Sequence, residues 1–197
     1  MCCLSDLLAA AALAIDGANA MDPTVVVVRG QAQPLAMAHG RLAVEWVQRL
    51  LESPPDAVLL AARAHHLRRW EVPRSSYPAG RASYLRWRKD QKNRHARDIE
   101  AILRGVGYEP DVVEQVQALV RRTQLGSDVH AQVIEDAACL VFIETQLADM
   151  AERLDRDRLL EVIRKTASKM SQQGLALIEQ LPIGNAERVL LAEALAS

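Results

Sequence analysis

Residues 133–143 read VIEDAACLVFI, a stretch that is apolar on nearly every side of a helical projection except at two carboxylates. A helix that is hydrophobic all round is buried on most of its sides. We therefore predict a buried helix over residues 128–153. Asp136 falls on its apolar stripe, and an isolated buried carboxylate costs several kcal/mol. The sequence thus predicts that an arginine or a metal ion pairs with Asp136.

The remaining long segments also show helical periodicity, and glycines and prolines separate them. The predicted helices span 4–20, 35–52, 56–69, 79–104, 109–122, 128–153, 157–180 and 185–196. The single strand candidate, Val25–Val28, has no evident partner. No repeat or linker divides the chain. We predict an all-α fold, with one compact domain over residues 1–197.

Composition excludes several classes of protein. Half of the 197 residues are hydrophobic, and 24 basic residues balance 25 acidic ones, as in a globular chain. A domain of this length buries roughly 70% of the surface that its unfolded chain exposes, so it needs no disulfide bond or bound metal ion to stabilise its core. The three cysteines, Cys2, Cys3 and Cys139, form neither a disulfide framework nor a zinc ribbon. We find no sequence signal for a nicotinamide, flavin or haem cofactor.

The N-terminal segment imitates a secretory signal. Residues 7–14 are apolar, but Asp6 and Asp16 flank them, and no Lys or Arg precedes them. The apolar positions also recur at helical spacing. No later stretch approaches the roughly 20 apolar residues of a membrane span. We predict an amphipathic helix in a cytoplasmic protein without membrane association, with a cleaved signal as the alternative.

Positive charge concentrates between Arg63 and Arg97. This segment holds eleven basic and two acidic residues, and four of the seven aromatic residues. Arginine guanidinium groups can bind phosphates, and aromatic rings can stack on nucleic-acid bases. A need for solubility would not by itself concentrate the positive charge in one segment. For any single arginine, a solvated helix face is the alternative. The predicted ligand-binding residues, including one from a later helix, are Arg69, Trp70, Arg74, Tyr77, Arg81, Tyr84, Arg88 and Lys169.

Helix geometry places part of this segment on one face. At about 100° per residue, one stripe of the 79–104 helix carries Arg81, Tyr84, Arg88, Gln91, His95 and Asp98. Pro73 and Pro78 force a turn that brings the end of the preceding helix beside the start of this one. We therefore expect the arginines of both segments to converge, around either a ligand or a structural network of ion pairs.

The histidines follow a suggestive order. His39 is followed by His65 and His66 after an alanine-rich run, then by His95 and the distal Asp136. This order resembles the HD-domain metal-dependent phosphohydrolases, although His66 stands where their His-Asp dyad has its aspartate. The resemblance implies an HD-like helical fold and a divalent zinc, manganese or iron ion. His66, His95 and Asp136 would hold it, with His65 or Glu135 as a further ligand.

A second resemblance extends over nearly the whole chain. Its motifs are Ile15–Asn19 with Asp22 and Pro23, His66–Trp70, Pro73–Pro78, Tyr84–Arg88, His95 with Ala96, Glu135–Glu144 and Lys165–Ser171. They resemble the bacterial and fungal family catalogued as domain of unknown function 4202. The resemblance implies no established activity. Members of that family often carry Gln at the position of His65, which favours His66 as the functional histidine of the pair.

Two functions remain open at this point, with a third less favoured. The leading hypothesis is a metal-dependent phosphohydrolase acting on a nucleotide or another phosphate-bearing ligand, in which the metal activates water. The alternative is a non-catalytic module that binds RNA or a nucleotide, with Asp136 paired to an arginine. A helical adaptor for another protein would explain the fold but not the clustered arginines. The sequence does not indicate the substrate, the pathway or the oligomeric state.

Overall fold

The buried helix predicted from residues 133–143 is α6 (Val129–Arg153) in the computed structural model, which describes residues 4–123 and 125–196. Nine of those eleven residues are buried, and the two partly exposed ones are Ala138 and Phe142. Five helices contact α6, namely α2 (Leu35–Leu50), α3 (Asp56–Arg63), α5 (Pro110–Arg121), α7 (Arg156–Ala167) and α8 (Gln172–Ala176). The all-α prediction is confirmed.

The other helices enclose this centre. Helix α1 (Leu4–Asn19) contacts α2, α3 and α4 (Arg81–Val106), while α9 (Asn185–Leu195) contacts α7. Short 3₁₀ turns lie at Arg69–Glu71, Arg74–Ser76 and Leu177–Gln180. Among the described residues, no helix is long and apolar enough to cross a membrane. Cys139 is a buried free thiol, whereas Cys2 and Cys3 lie outside the described residues.

Two predicted helices are shorter than expected. The helix predicted over 56–69 ends at Arg63, and turns follow it as far as Arg68. Arg68 adopts a left-handed conformation (φ 50°), and the Asn19 side chain accepts a hydrogen bond from its N–H (3.1 Å). His65, His66 and Arg69 therefore lie on a turn. The helix predicted over 157–180 is broken after Ala167, where Ser171 caps a new helix by accepting from the Gly174 N–H.

The strand candidate Val25–Val28 does have a partner, so that expectation was wrong. It forms β1, and β2 (Gln31–Pro34) pairs with it antiparallel through a two-residue turn. Both turn residues have positive φ, 49° at Arg29 and 82° at Gly30. Positive φ at both positions matches the right-handed twist of a hairpin. The composition of β2 (QAQP) gives no strand signal, since Ala and Pro are poor strand formers.

Carboxylates of α1 and of the segment that follows it bind residues of α2 and α3. The carboxylate of Asp16 accepts two hydrogen bonds from Arg63, both of 2.8 Å, and one of 2.9 Å from Arg41. Burial raises the pKa of Asp16, but the two arginines outweigh burial and hold the pKa below its usual value. Asp22 accepts from the backbone N–H of Ala36 (3.0 Å) near the start of α2. The Asp16 motif is therefore structural.

Helices α2 and α3 approach closely at Gly40. A Cβ added there would lie 2.5 Å from the Arg63 carbonyl oxygen, which is backbone and cannot rotate away. We expect Gly40→Ala to lower the free energy of unfolding by about 1–3 kcal/mol, as overpacking does. Urea denaturation followed by tryptophan fluorescence measures the change.

The matched control is Gly17→Ala in α1, because a Cβ at Gly17 meets nothing within 4 Å. Alanine is the better helix former, so this variant should be unchanged or more stable by up to about 1 kcal/mol. Equal stability of the two variants would contradict the close approach at Gly40.

Candidate functional site

A cavity of about 1210 Å³ opens between α4, α6 and α7. The end of α5 and the turn after α3 close its sides, and His39 reaches it from α2. Seven of the predicted ligand-binding and metal-binding residues line it: His66, Arg69, Arg81, Tyr84, Arg88, His95 and Lys169. His65 and Glu135, the two alternatives for a further metal ligand, line it as well. The stripe predicted on α4 thus faces this cavity, apart from Asp98.

Three predicted ligand-binding residues do not line the cavity. Trp70 and Arg74 line a smaller cavity of about 200 Å³. The Arg74 guanidinium already donates to the carbonyls of Tyr77 (2.8 Å) and Pro78 (2.9 Å) and so clamps its own loop. The Tyr77 hydroxyl donates to Asp90 (2.9 Å). The turn between Pro73 and Pro78 therefore directs Arg74 to its own backbone and Tyr77 to Asp90 of α4.

Asp136 also lies away from the histidines, which corrects the predicted grouping. Its carboxylate accepts hydrogen bonds from the Gln132 side chain (2.9 Å), the Ser171 N–H (2.9 Å) and the Ser171 hydroxyl. A Cβ at Gly174 would collide with it. About 100° separates successive residues on a helix, so Glu135 faces the cavity while Asp136 faces the start of α8. Its partners are hydrogen-bond donors rather than an arginine.

The predicted metal ligands therefore do not converge. Among residues 4–123 and 125–196, no group of three or more His, Cys, Asp or Glu side chains is arranged to hold a metal ion. His66 and His95 are near each other, with ring centroids 6.5 Å apart, but Asp136 does not join them. The residues do not fit the predicted metal site, and we derive no step through a metal.

Four histidines meet at the cavity and form what we term the histidine cluster: His39, His65, His66 and His95. The rings of His65 and His66 have centroids 4.1 Å apart, and those of His39 and His66 are 5.1 Å apart. Burial lowers the pKa of all four, to about 4 for His39 and about 3 for His95. Nearby cations, Arg69 for His39 and His95, lower it further. The cluster is neutral at pH 7.

The hydrogen bonds of the cluster determine which nitrogen carries each proton. The Thr145 hydroxyl donates to the Val141 carbonyl (2.7 Å), so its oxygen accepts from Nε2 of His39 (3.0 Å). Neutral His39 then accepts at Nδ1 from Nδ1 of His66 (2.9 Å). His66 consequently presents an unprotonated Nε2, which can accept a hydrogen bond from a ligand.

His95 has unused hydrogen-bonding capacity. Both of its ring nitrogens are buried, and no group within residues 4–123 and 125–196 forms a hydrogen bond with them. The Leu67 carbonyl raises its pKa, yet lies outside hydrogen-bonding geometry with either nitrogen. Buried polar groups are normally satisfied, so the two nitrogens of His95 are candidates to bond to a ligand or to water in the cavity.

Arg69 is held in position from α4. The Gln91 amide donates to the carbonyls of Arg69 (3.0 Å) and Val72 (2.7 Å), and the Trp87 indole also donates to Val72 (3.0 Å). The Arg69 guanidinium carbon lies 4.5 Å from the centre of the Trp87 ring. Burial lowers the pKa of Arg69 to about 10. The side chain thus enters the cavity partly desolvated and stacked on an aromatic face.

Sequence reasoning missed the cavity cations Lys92, Arg122 and Arg158, and did not assign His39 to the site. Arg122 ends α5 in a left-handed conformation (φ 53°) and pairs with Glu135, while its Nε is buried without a partner among the described residues. A basic residue at a helix end is ordinary, so nothing in the sequence marked it. Lys92 did have a signal, since it follows Arg88 by four residues and shares its face.

The chain belongs to the family described as Domain of unknown function (DUF4202), whose model matches residues 9–191. The resemblance seen in the sequence motifs is therefore confirmed. No curated protein and no solved structure matches the chain. The resemblance to HD-domain phosphohydrolases is not confirmed by these comparisons.

Asp136→Ala should lower the free energy of unfolding by about 2–4 kcal/mol, because it removes a charged acceptor and leaves the Ser171 donors unpaired. The loss should be the same with and without EDTA in thermal melts, since a structural carboxylate needs no metal. The control is Asp149→Ala, on the same helix but with its side chain 70% exposed, which should change stability by less than about 0.5 kcal/mol. A loss that disappears with EDTA would make Asp136 a metal ligand.

The fold should also lose stability in mild acid. The folded pKa values of His39 and His95 lie below the ordinary value of 6.5, so the unfolded chain takes up protons that the fold excludes. Their contribution is complete above pH 6.5 and is lost as the pH falls. His39 and His95 alone should lower the free energy of unfolding by about 2–3 kcal/mol between pH 7.5 and 5.5. His65 and His66, whose pKa values are also lowered, should add to that loss.

Urea denaturation at pH 7.5, 6.5 and 5.5 measures this slope. In His95→Gln, the decrease in the free energy of unfolding between pH 7.5 and 5.5 should be smaller by about 1 kcal/mol, because the variant lacks one histidine whose pKa is lowered by folding. Stability that does not change with pH would show that the histidines protonate equally well in the folded state.

Proposed function

We propose that this member of the DUF4202 family binds a phosphate-bearing small molecule in the cavity of α4, α6 and α7. The observation that carries the proposal is the charge of the cavity wall, which holds eight basic and two acidic residues. Three of the basic residues have acidic partners: Arg122 with Glu135, and Arg158 and Lys165 with Glu161.

The other five cations have no acidic partner among the described residues. We term them the unpaired cations: Arg69, Arg81, Arg88, Lys92 and Lys169. Charges of one sign gathered in a partly desolvated cavity repel one another more strongly than they would in water. An anionic ligand removes this repulsion. Guanidinium groups favour phosphate because their fork matches two phosphate oxygens at once.

The placement of the aromatic residues supports a small molecule over RNA. Single-stranded nucleic acid is typically bound by aromatic rings on which successive bases stack. Here the Trp87 indole is buried and donates to Val72, and Tyr77 is bonded to Asp90. Tyr84 is the aromatic residue that lines the cavity beside the unpaired cations, together with Phe142 on the opposite helix. One ring can hold one base, which suits a nucleotide.

The histidine cluster supplies neutral groups beside the cations. Nε2 of His66 is an acceptor, and the nitrogens of His95 are free to bond. Such groups can bind the hydroxyls of a ligand, whereas the unpaired cations bind its charge. Hydrolysis assisted by a metal remains the sequence-based alternative, and the observed geometry favours binding.

Arg88→Gln should weaken the binding of ATP by about 10–100-fold, the usual value of a charged hydrogen bond. Arg88→Lys should weaken it nearly as much, because an ammonium group cannot reproduce the two-point contact. Tryptophan fluorescence can follow the titration, since Trp87 contacts Arg69. Binding should also weaken as the salt concentration rises.

The control is Arg86→Gln, because Arg86 is exposed on the same helix and does not line the cavity. It should bind ATP within about twofold of wild type. A titration with a short RNA oligomer tests the alternative. Wild-type ATP affinity in Arg88→Gln, or RNA binding without nucleotide binding, would overturn the proposal.

A further inference from the structure

We infer that the ligand carries two or more linked phosphates, laid along α4 between the open end of the cavity and the histidine cluster. This inference rests on the proposed function and specifies the class of ligand. A single phosphate and a phosphate chain make different demands on a site. A single phosphate needs hydrogen-bond donors gathered around one point, while a phosphate chain needs cations distributed along a line.

The unpaired cations are distributed along a line. Arg81, Arg88 and Lys92 follow one face of α4, and eleven residues of helix span about 16 Å. Arg81 is exposed at the open end, whereas Arg88 and Lys92 are partly buried. No single phosphate can contact both ends of such a row, because a bidentate contact places the guanidinium within about 3 Å of the phosphate oxygens.

The buried end of the row has a second side. Lys169 follows α7, and Arg122 extends from the end of α5 toward Glu135. Their charges act on Lys92, whose pKa is lowered to about 8, first by burial and then by Arg122. Glu135, which Arg122 already pairs, is the sole carboxylate at this end among the described lining residues. Cations therefore surround the buried end from three elements of the fold.

The amount of charge supports the same conclusion. A phosphate group carries about two negative charges near neutral pH. Five unpaired cations would leave roughly three positive charges uncompensated around one such group. Each further linked phosphate adds negative charge, and successive phosphates of a chain can lie beside successive cations. The cavity volume of about 1210 Å³ also exceeds the roughly 300–1000 Å³ of common small-molecule sites.

The test is calorimetric titration of the full chain with orthophosphate, pyrophosphate and tripolyphosphate, at pH 7 and constant ionic strength. We expect affinity to rise at least tenfold from orthophosphate to pyrophosphate and again to tripolyphosphate. Lys92→Gln should reduce the ratio of tripolyphosphate to orthophosphate affinity at least fivefold, because it removes a cation from the row.

The matched control is Lys89→Gln. Lys89 is three residues from Lys92 on the same helix, but it is exposed and does not line the cavity. The control should keep the wild-type ratio of affinities. Thermal melts of both variants show whether either is unfolded. An intact control with a reduced ratio in Lys92→Gln supports the inference.

Two results would overturn the inference while the proposed function stands. Equal affinity for orthophosphate and tripolyphosphate would mean a site for one phosphate. An equal loss in Lys89→Gln and Lys92→Gln would mean that tripolyphosphate binds the exposed surface of α4. If ATP and all three inorganic phosphates fail to bind, the proposed function fails as well, which separates the two conclusions.

Discussion

The ion pair between Asp16 and Arg63 fixes the end of α3, and the floor of the cavity depends on that end. Asp16 binds the Arg63 guanidinium with two hydrogen bonds, while Gly40 lets α2 pack against the Arg63 carbonyl. The chain then leaves the helix, and Asn19 secures the left-handed Arg68. His65, His66 and Arg69 follow within a few residues. A shift in the position of Arg63 would therefore displace His65, His66 and Arg69.

A second constraint is the coexistence of cations with neutral histidines. Burial and neighbouring arginines disfavour a further positive charge, so the imidazoles stay unprotonated. Because the neighbouring imidazoles are neutral, they do not offset the positive charge of the unpaired cations. A cavity of this kind has hydrogen-bond acceptors on its floor and positive charge on its wall. This combination is the basis of our proposal that the ligand carries both hydroxyls and phosphates.

The candidate site could be predicted from sequence where one helix carries it. Arg81, Tyr84, Arg88 and His95 line the cavity together because helical spacing alone puts them on one face. Arg74 and Tyr77 lie on a loop, and their side chains bond to the loop itself and to α4. The predicted grouping of Asp136 with the histidines was wrong, because Asp136 faces Ser171 while the adjacent Glu135 faces the cavity and pairs with Arg122.

By itself, the sequence determined the helical class, the burial of residues 133–143, the cationic face of α4 and the family. Each of these follows from residue type and spacing within one segment, or from motifs read in order. Only the tertiary structure decided that Arg122 joins that face, that His39 bonds to His66, and that Asp136 does not reach them. Those relations depend on the angles between helices and on where each helix ends. Both are set by contacts between residues far apart in the chain, such as Asp16 with Arg63, which no local pattern contains.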